Sequence, residues 1–179
     1  WANDPVGQII QSARALQPDG LFQAVCLGGQ TLNELRICLA QAESEVTGGL
    51  SPRIAPMGEI RDLGALLQRA GLALPVADNI TVRTSYKDAF HLMHDLRNFG
   101  ETNALNARLR HPTKRAIFDR CAEIYAKTFA EDGKIIATFE FLFLSGWAPS
   151  ADQPKPLRPG SATSRLADAL KTTEKPLRD

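Results

Sequence analysis

The chain predicts an α/β domain in which an open sheet is flanked by helices and a strand-to-helix turn forms a binding crevice. Three observations carry this. The run Leu21-Phe22-Gln23-Ala24-Val25-Cys26-Leu27, bounded by Pro18-Asp19-Gly20 and Gly28-Gly29, is apolar enough for a strand covered on both faces. Its glycine turn passes directly into Thr31-Leu32-Asn33-Glu34, which reads as a Thr-x-x-Glu capping box. Segments of helical period then alternate with short β runs up to a last strand at about 134–144.

Asp4-Pro5 caps and opens a first helix at about 5–16, with Val6, Ile9, Ile10, Ala13 and Leu16 at helical spacing. After the strand, Leu32, Leu35, Leu39 and Ala42 mark a second helix ending near Gly48-Gly49. Residues 51–56 read as loop. A third helix covers about 59–70, with Gly71 placed as its C′ residue. Two β runs, 72–77 and 80–84, are parted by Asp78-Asn79, and 21–27 and 72–77 are expected to be parallel strands. Ser85-Tyr86-Lys87-Asp88 reads as a second capping box, opening a helix that closes at Gly100. A fifth helix runs from about 112 to 130, and Asp132-Gly133 turns it into the last strand, with Ile135, Ala137, Phe139, Phe141 and Phe143 on one face. Residues 149–163 read as an extended arm, followed by at most a short helix at 164–170.

The 179 residues, 44% hydrophobic and 23% charged, are enough for one soluble domain with a real core. A net charge of +1 gives no global field toward nucleic acid or membrane, so recognition must be local. Cys26, Cys38 and Cys121 lack Cys-x-x-Cys spacing, which points away from zinc and disulfides and toward a reducing cytoplasm. No apolar run reaches the roughly 20 residues that span a bilayer, and no signal-peptide pattern precedes the first helix. His91 and His94 stand three apart on a helix without a carboxylate or thiol to complete a metal set. The start at Trp1 reads as that of a fragment.

Three segments then carry a family resemblance. They are Trp1-Ala2-Asn3-Asp4-Pro5 leading to Gln17-Pro18-Asp19-Gly20-Leu21-Phe22, the stretch from Gly28-Gly29 to Glu34-Leu35-Arg36, and Tyr86-Lys87-Asp88-Ala89-Phe90 continuing to Arg97-Asn98-Phe99-Gly100-Glu101-Thr102-Asn103. With Gly146-Trp147-Ala148-Pro149, this resembles the C-terminal half of a class I S-adenosylmethionine-dependent methyltransferase. The chain is similar to the biotin-synthesis malonyl-carrier-protein methyltransferases and to the complex I assembly-factor methyltransferase-like proteins. The resemblance implies a partial Rossmann-like sheet over residues 1–148, a helical insertion at about 86–131 roofing the site, an antiparallel last strand, and an arm at 149–179. No Gly-x-Gly-x-x-Gly or Walker-type loop occurs, so the family's cofactor cradle has no counterpart and the chain alone is expected to be inactive.

By that resemblance Trp1 and Asn3 lie at the methionine end of S-adenosylmethionine, and Gly28, Gly29, Arg36, Arg97, Glu101, Thr102 and Asn103 face the acceptor. Methyl transfer from a sulfonium is in-line displacement, mostly alignment. A carboxylate acceptor needs no base, and Arg36 or Arg97 would orient it. The acceptor is then a small or carrier-protein-bound acid, with no nucleic acid or membrane involved and self-association through the incomplete sheet. Lys155, Arg158 and Arg165 offer cations to an acidic partner or simply solvate the arm. The rival readings are a methyltransferase-like protein acting on a partner protein, by arginine hydroxylation or assembly, and a binding domain without chemistry.

Overall fold

In the computed structural model, which describes residues 2–155, 160–161 and 164–173, one strand takes hydrogen bonds along both of its edges. This is β4 (Lys134–Trp147), with β1 (Leu21–Leu27) on one side and β2 (Ala73–Tyr86) on the other. Both pairings are antiparallel. The strands expected to be parallel, 21–27 and 72–77, do run the same way, with β4 between them in the opposite sense. The last strand is antiparallel, as expected, and reaches Trp147. β3 (Ala130–Glu131) joins its start through the Asp132-Gly133 turn, where both residues take positive φ.

The helices of the first unit, 1–149, are α1 (Pro5–Ala15), α2 (Asn33–Thr47), α3 (Ile60–Arg69), α4 (Ala89–Asn98) and α5 (Arg115–Thr128). The second unit, Ser150–Asp179, contains the short α6 (Leu166–Ala169) among its described residues. Arg158 lies outside the described residues.

Cross-strand partners share a face, and the two faces are covered at opposite ends. Ile9, Leu67, Leu72 and Leu144 are buried with Phe22, Ala24 and Cys26 against them, so α1 and α3 cover the face that carries Leu144. Ile135 and Ala137 point to the other face and join Leu35, Cys38, Leu92, Cys121 and Tyr125 beneath α2, α4 and α5. The expected row Ile135, Ala137, Phe139, Phe141, Phe143 does share one face, but its cover ends partway. Ile135 and Ala137 are buried, Phe139 and Phe141 half-buried, and Phe143 is 39% exposed beside exposed Val25, Val76, Ile80 and Val82.

Three local expectations fail for identifiable reasons. Asp78-Asn79 is no break: both pair in register with Phe143 and Leu142, and the irregularity in β2 falls instead between Ala73 and Val76, at Pro75, which cannot donate a ladder bond. Ser85 stays in the strand, and the cap of α4 is Asp88, whose Oδ1 accepts the His91 N–H at 2.9 Å. Thr31 and Glu34 do not form a capping box, since Leu32 is the N-cap residue, in left-handed conformation and without a side-chain cap.

What Thr31 and Glu34 do instead replaces a strand. β1 ends at Leu27, leaving the β4 edge at 136–140 to find other partners. Thr31 Oγ1 donates to Glu140 O at 3.1 Å and accepts the Glu140 N–H at 3.0 Å. The Leu32 N–H donates to Thr138 O at 2.7 Å, and the Glu34 carboxylate accepts the Thr138 N–H at 3.1 Å and its hydroxyl. Further along, Tyr125 donates its hydroxyl to Ile136 O at 2.8 Å, and the Ile136 N–H reaches Phe129 O at 3.0 Å. Thr31→Val keeps shape and removes two buried partners at once. It is expected to destabilise the domain by about 2–3 kcal/mol, read from the urea midpoint at unchanged m.

Candidate functional site

The glycine turn after β1 gathers three charged groups, Glu140, Glu59 and Arg36. The Gly28 N–H still reaches Glu140 O at 2.8 Å, and the Gly29 N–H reaches Gly58 O at 3.1 Å, which brings the start of α3 alongside. Neither Gly28 nor Gly29 has positive φ. Their importance is space: a Cβ on Gly28 would collide with the Glu140 carboxylate, and one on Gly29 with the carboxylate of Glu59. The close approach that the two glycines permit is made by this chain's own carboxylates.

Glu140 is 7% exposed. Its Oε2 accepts the Gln30 N–H at 3.0 Å, and its Oε1 accepts from Asn79 Nδ2 at 2.9 Å. Both donors are neutral, so the carboxylate is held in place without a counter-ion. Glu59 is exposed, and none of the ion pairs among the described residues involves it or Glu140. Arg36 is the guanidinium at this turn, and its long bonds, each 3.4 Å, go to the carbonyls of Gly29 and Thr31.

The remaining expected substrate residues are held by other partners. Arg97 is exposed in the last turn of α4, and Gly100, at φ +80, ends the helix in a Schellman arrangement. There the Glu101 N–H bonds Leu96 O at 2.9 Å and the Gly100 N–H bonds Arg97 O at 3.0 Å. The Thr102 N–H bonds Gly100 O at 3.0 Å, and Asn103 Nδ2 donates to Pro52 O at 2.9 Å. No hydrogen bond among the described residues joins this group to Gly28, Gly29 or Arg36. Asn3 is exposed just before Asp4, whose Oδ1 caps α1 by accepting the Gly7 N–H at 2.8 Å. Trp1 lies outside the described residues.

A buried ion pair fixes the loops near the end of α4. Glu43, 3% exposed, takes Arg53 Nη2 at 2.7 Å and Nε at 3.0 Å, along with the Ser51 N–H at 3.1 Å. Arg53 Nη1 then donates to Thr113 Oγ1 at 3.0 Å. Burial works to raise the Glu43 pKa, but the hydrogen bonds from Arg53 and Ser51 outweigh it and the net shift is downward.

The thiols have no role at the turn. Burial, reinforced at Cys38 by Glu34, pushes Cys38 and Cys121 up to about 12, so both are unreactive near neutrality. His91 pairs with Asp88 at 2.9 Å and His94 with Asn98 at 3.1 Å. Among the described residues no three His, Cys, Asp or Glu side chains are placed to hold a metal, and no helix is long and apolar enough to cross a membrane.

Sequence reasoning overlooked Glu140, Asn79, Glu59 and the Glu43–Arg53 pair. Glu140 did leave a signal, a carboxylate set between Phe139 and Phe141 and therefore on the opposite face of a strand. Nothing local ties it to a glycine 112 positions earlier.

These features define a mixed α/β domain built on an antiparallel sheet, with a charged turn after β1. The chain is homologous to part of two groups of curated proteins. It is 39% identical over 173 residues, 96% of its length, to the mitochondrial arginine-hydroxylase NDUFAF5 of Danio rerio, and 37% identical over 97% of its length to that of Dictyostelium discoideum. It is 32% identical over 84% of its length to the malonyl-[acyl-carrier protein] O-methyltransferase of Methylovorus sp. (strain MP688). Those matches cover 53%, 40% and 49% of the relatives, so the chain spans about half the length of the curated relatives it matches. A putative methyltransferase structure from Bacillus halodurans C-125 superposes on 83% of the chain and 59% of its own, with a TM-score of 0.46 and 14% identity. No family model matches the sequence.

The described residues do not fit S-adenosylmethionine by themselves, because no Gly-x-Gly-x-x-Gly loop is present to cradle it and the space beside Gly28 and Gly29 is taken by the chain's own carboxylates.

Gly28→Ala is expected to cost about 1–3 kcal/mol, because the fixed Glu140 carboxylate cannot retreat, whereas Gly29→Ala displaces the exposed end of Glu59 and costs less; chemical denaturation of both variants checks the contrast. Because the folded Glu43 pKa is depressed, its contribution is complete above the unfolded value of about 4.3 and is lost as pH falls through the folded value. Acid titration of Glu43→Gln should therefore show a shallower loss of stability below about pH 4 than the parent chain.

Proposed function

We propose that the chain is the acceptor-side part of a methyltransferase-like protein whose substrate is an arginine side chain of a partner protein, met at the glycine turn. The observation that carries this reading is the 39% identity, over 96% of the chain, to a protein named an arginine hydroxylase, against 32% over 84% for the malonyl-carrier-protein methyltransferase. The charge at the turn supports it. Glu140 and Glu59 flank the glycines without a counter-ion, and Arg36 is engaged by carbonyls, so an incoming guanidinium meets complementary charge and an incoming carboxylate meets repulsion.

In this reading Glu140, oriented by Gln30 and Asn79, aligns the guanidinium, and the clamp of Thr31 on β4 holds the turn still. A further segment, of the kind the longer relatives contain, would complete the sheet along the free edge of β1 and over Val25, Val76, Ile80 and Phe143. It would also carry the cofactor loop. Without that cover, the same edge and apolar face draw a second copy of the chain.

O-methylation of a carrier-bound carboxylic acid from S-adenosylmethionine is the second reading. What favours it is Arg97, exposed at the end of α4 and in none of the ion pairs among the described residues. The two separate on one experiment. The full-length gene product, given an arginine-containing protein fraction, air, a reductant and methyl-labelled S-adenosylmethionine, is expected to add oxygen to arginine without label in the product. Label in a base-labile ester would overturn the arginine reading. Glu140→Gln should lower the arginine reaction about tenfold, the loss of one charge-assisted contact.

A further inference from the structure

Away from the turn, a groove runs between the end of α2, the loop after it and the segment leading into α5. Leu50, Leu109 and Ile117 line it, with His111, Thr113 and Lys114 beside them. Leu50 is 70% exposed and Leu109 38%, so the groove offers apolar side chains to solvent. Around them the sequence from 102 to 118 contains Arg108, Arg110, His111, Lys114 and Arg115 and no acidic residue. Arg115 leans on Asp119 at 3.7 Å, Arg110 and Arg108 donate to backbone carbonyls, and Lys114 appears in none of the described ion pairs. The carboxylate that lines the groove, Glu43, is buried and neutralised by Arg53.

The groove is also held in shape. Glu43 grips Ser51 and Arg53 on one wall, Arg53 grips Thr113 on the other, and Asn103 ties the preceding loop to Pro52. A buried ion pair with these partners stabilises a domain little relative to an apolar pair, but it fixes geometry. Here that geometry is the spacing of two exposed loops.

We infer that this groove is a docking surface for an acidic amphipathic segment of a partner protein, with an apolar side chain seated between Leu50 and Leu109 and carboxylates on Lys114 and Arg110. Apolar anchors inside a charged rim are the pattern of protein interfaces. Nucleic acid is the poorer occupant, because the groove is lined by no Phe, Tyr or Trp for base stacking and the whole chain is near neutral. An anionic bilayer is poorer too, since cations confined to one short groove give a small electrostatic footprint. The inference rests on the arginine reading only in taking the partner to be a protein.

The test is fluorescence anisotropy on the full-length gene product with a labelled helical peptide of alternating Leu and Glu faces, compared with a Lys-for-Glu version, single-stranded DNA and phosphatidylserine vesicles. The acidic peptide should bind preferentially and weaken as salt rises. The double variant Arg110→Glu, Lys114→Glu should reduce its affinity about tenfold, and Leu50→Ser should reduce it severalfold at unchanged circular dichroism. Absence of binding, equal binding of the Lys peptide, indifference to these substitutions, or preference for DNA or vesicles would each overturn the inference. Binding that persists in a full-length protein inactive on arginine would count against the proposed activity and leave the groove standing.

Discussion

One strand edge governs this molecule. β4 lies at the centre of the sheet, and β1 is too short to cover it: pairing stops at Leu27 opposite Phe141. A buried backbone N–H or C=O left without a partner costs about as much as a whole side-chain interaction supplies. The chain meets that demand at 136–140 with Tyr125, Glu34, Leu32 and Thr31 in succession, which lock α5 and the start of α2 onto the strand. The positions of the α2 entry, of the glycine turn and of Glu140 all follow from this substitution of side chains for a missing strand.

The same constraint explains how much could be read from sequence. The elements themselves were legible, because apolar periodicity and Pro-Asp-Gly, Asp-Gly and Gly punctuation act over a few residues. Pairing was not legible. Asp78-Asn79 looked like a turn because both residue types favour turns, yet Asn79 is kept in the strand by its ladder partner Leu142 and by its side-chain bond to Glu140. Thr31 and Glu34 matched a capping box in spacing and residue type, but a β4 edge more than a hundred residues away competed for the same two side chains and won. A local motif predicts its local use only when no distant buried donor needs the same oxygen.

The candidate site shows the same limit in chemical form. Gly28, Gly29 and Arg36 were legible as a turn with a cation, to which the family resemblance added an acidic substrate. The fold adds Glu140 from β4 and Glu59 from the start of α3 and commits Arg36 to two carbonyls, so the electrostatic character of the turn changes sign. Arg97 and the 101–103 segment, assigned to the acceptor by family resemblance, sit in a helix end and a loop tied to Pro52. Charge at a site is a property of three-dimensional convergence, and a single segment carries only part of it.

The two polar nodes, Glu140 and Glu43, divide the molecule's polar chemistry between them. Each is a buried carboxylate, but Glu140 is held at a turn by neutral donors alone, whereas Glu43 is paired with Arg53 and fixes geometry. For the proposed arginine substrate the first arrangement suits recognition of a cation, because the carboxylate is already oriented and need not reorganise when a guanidinium arrives. The second suits support, because a neutralised pair can hold two loops without projecting a field that would oppose the cations on the groove rim. A chain close to neutral overall thus presents a locally acidic turn and a locally basic groove, each kept distinct by what its buried carboxylate is bonded to.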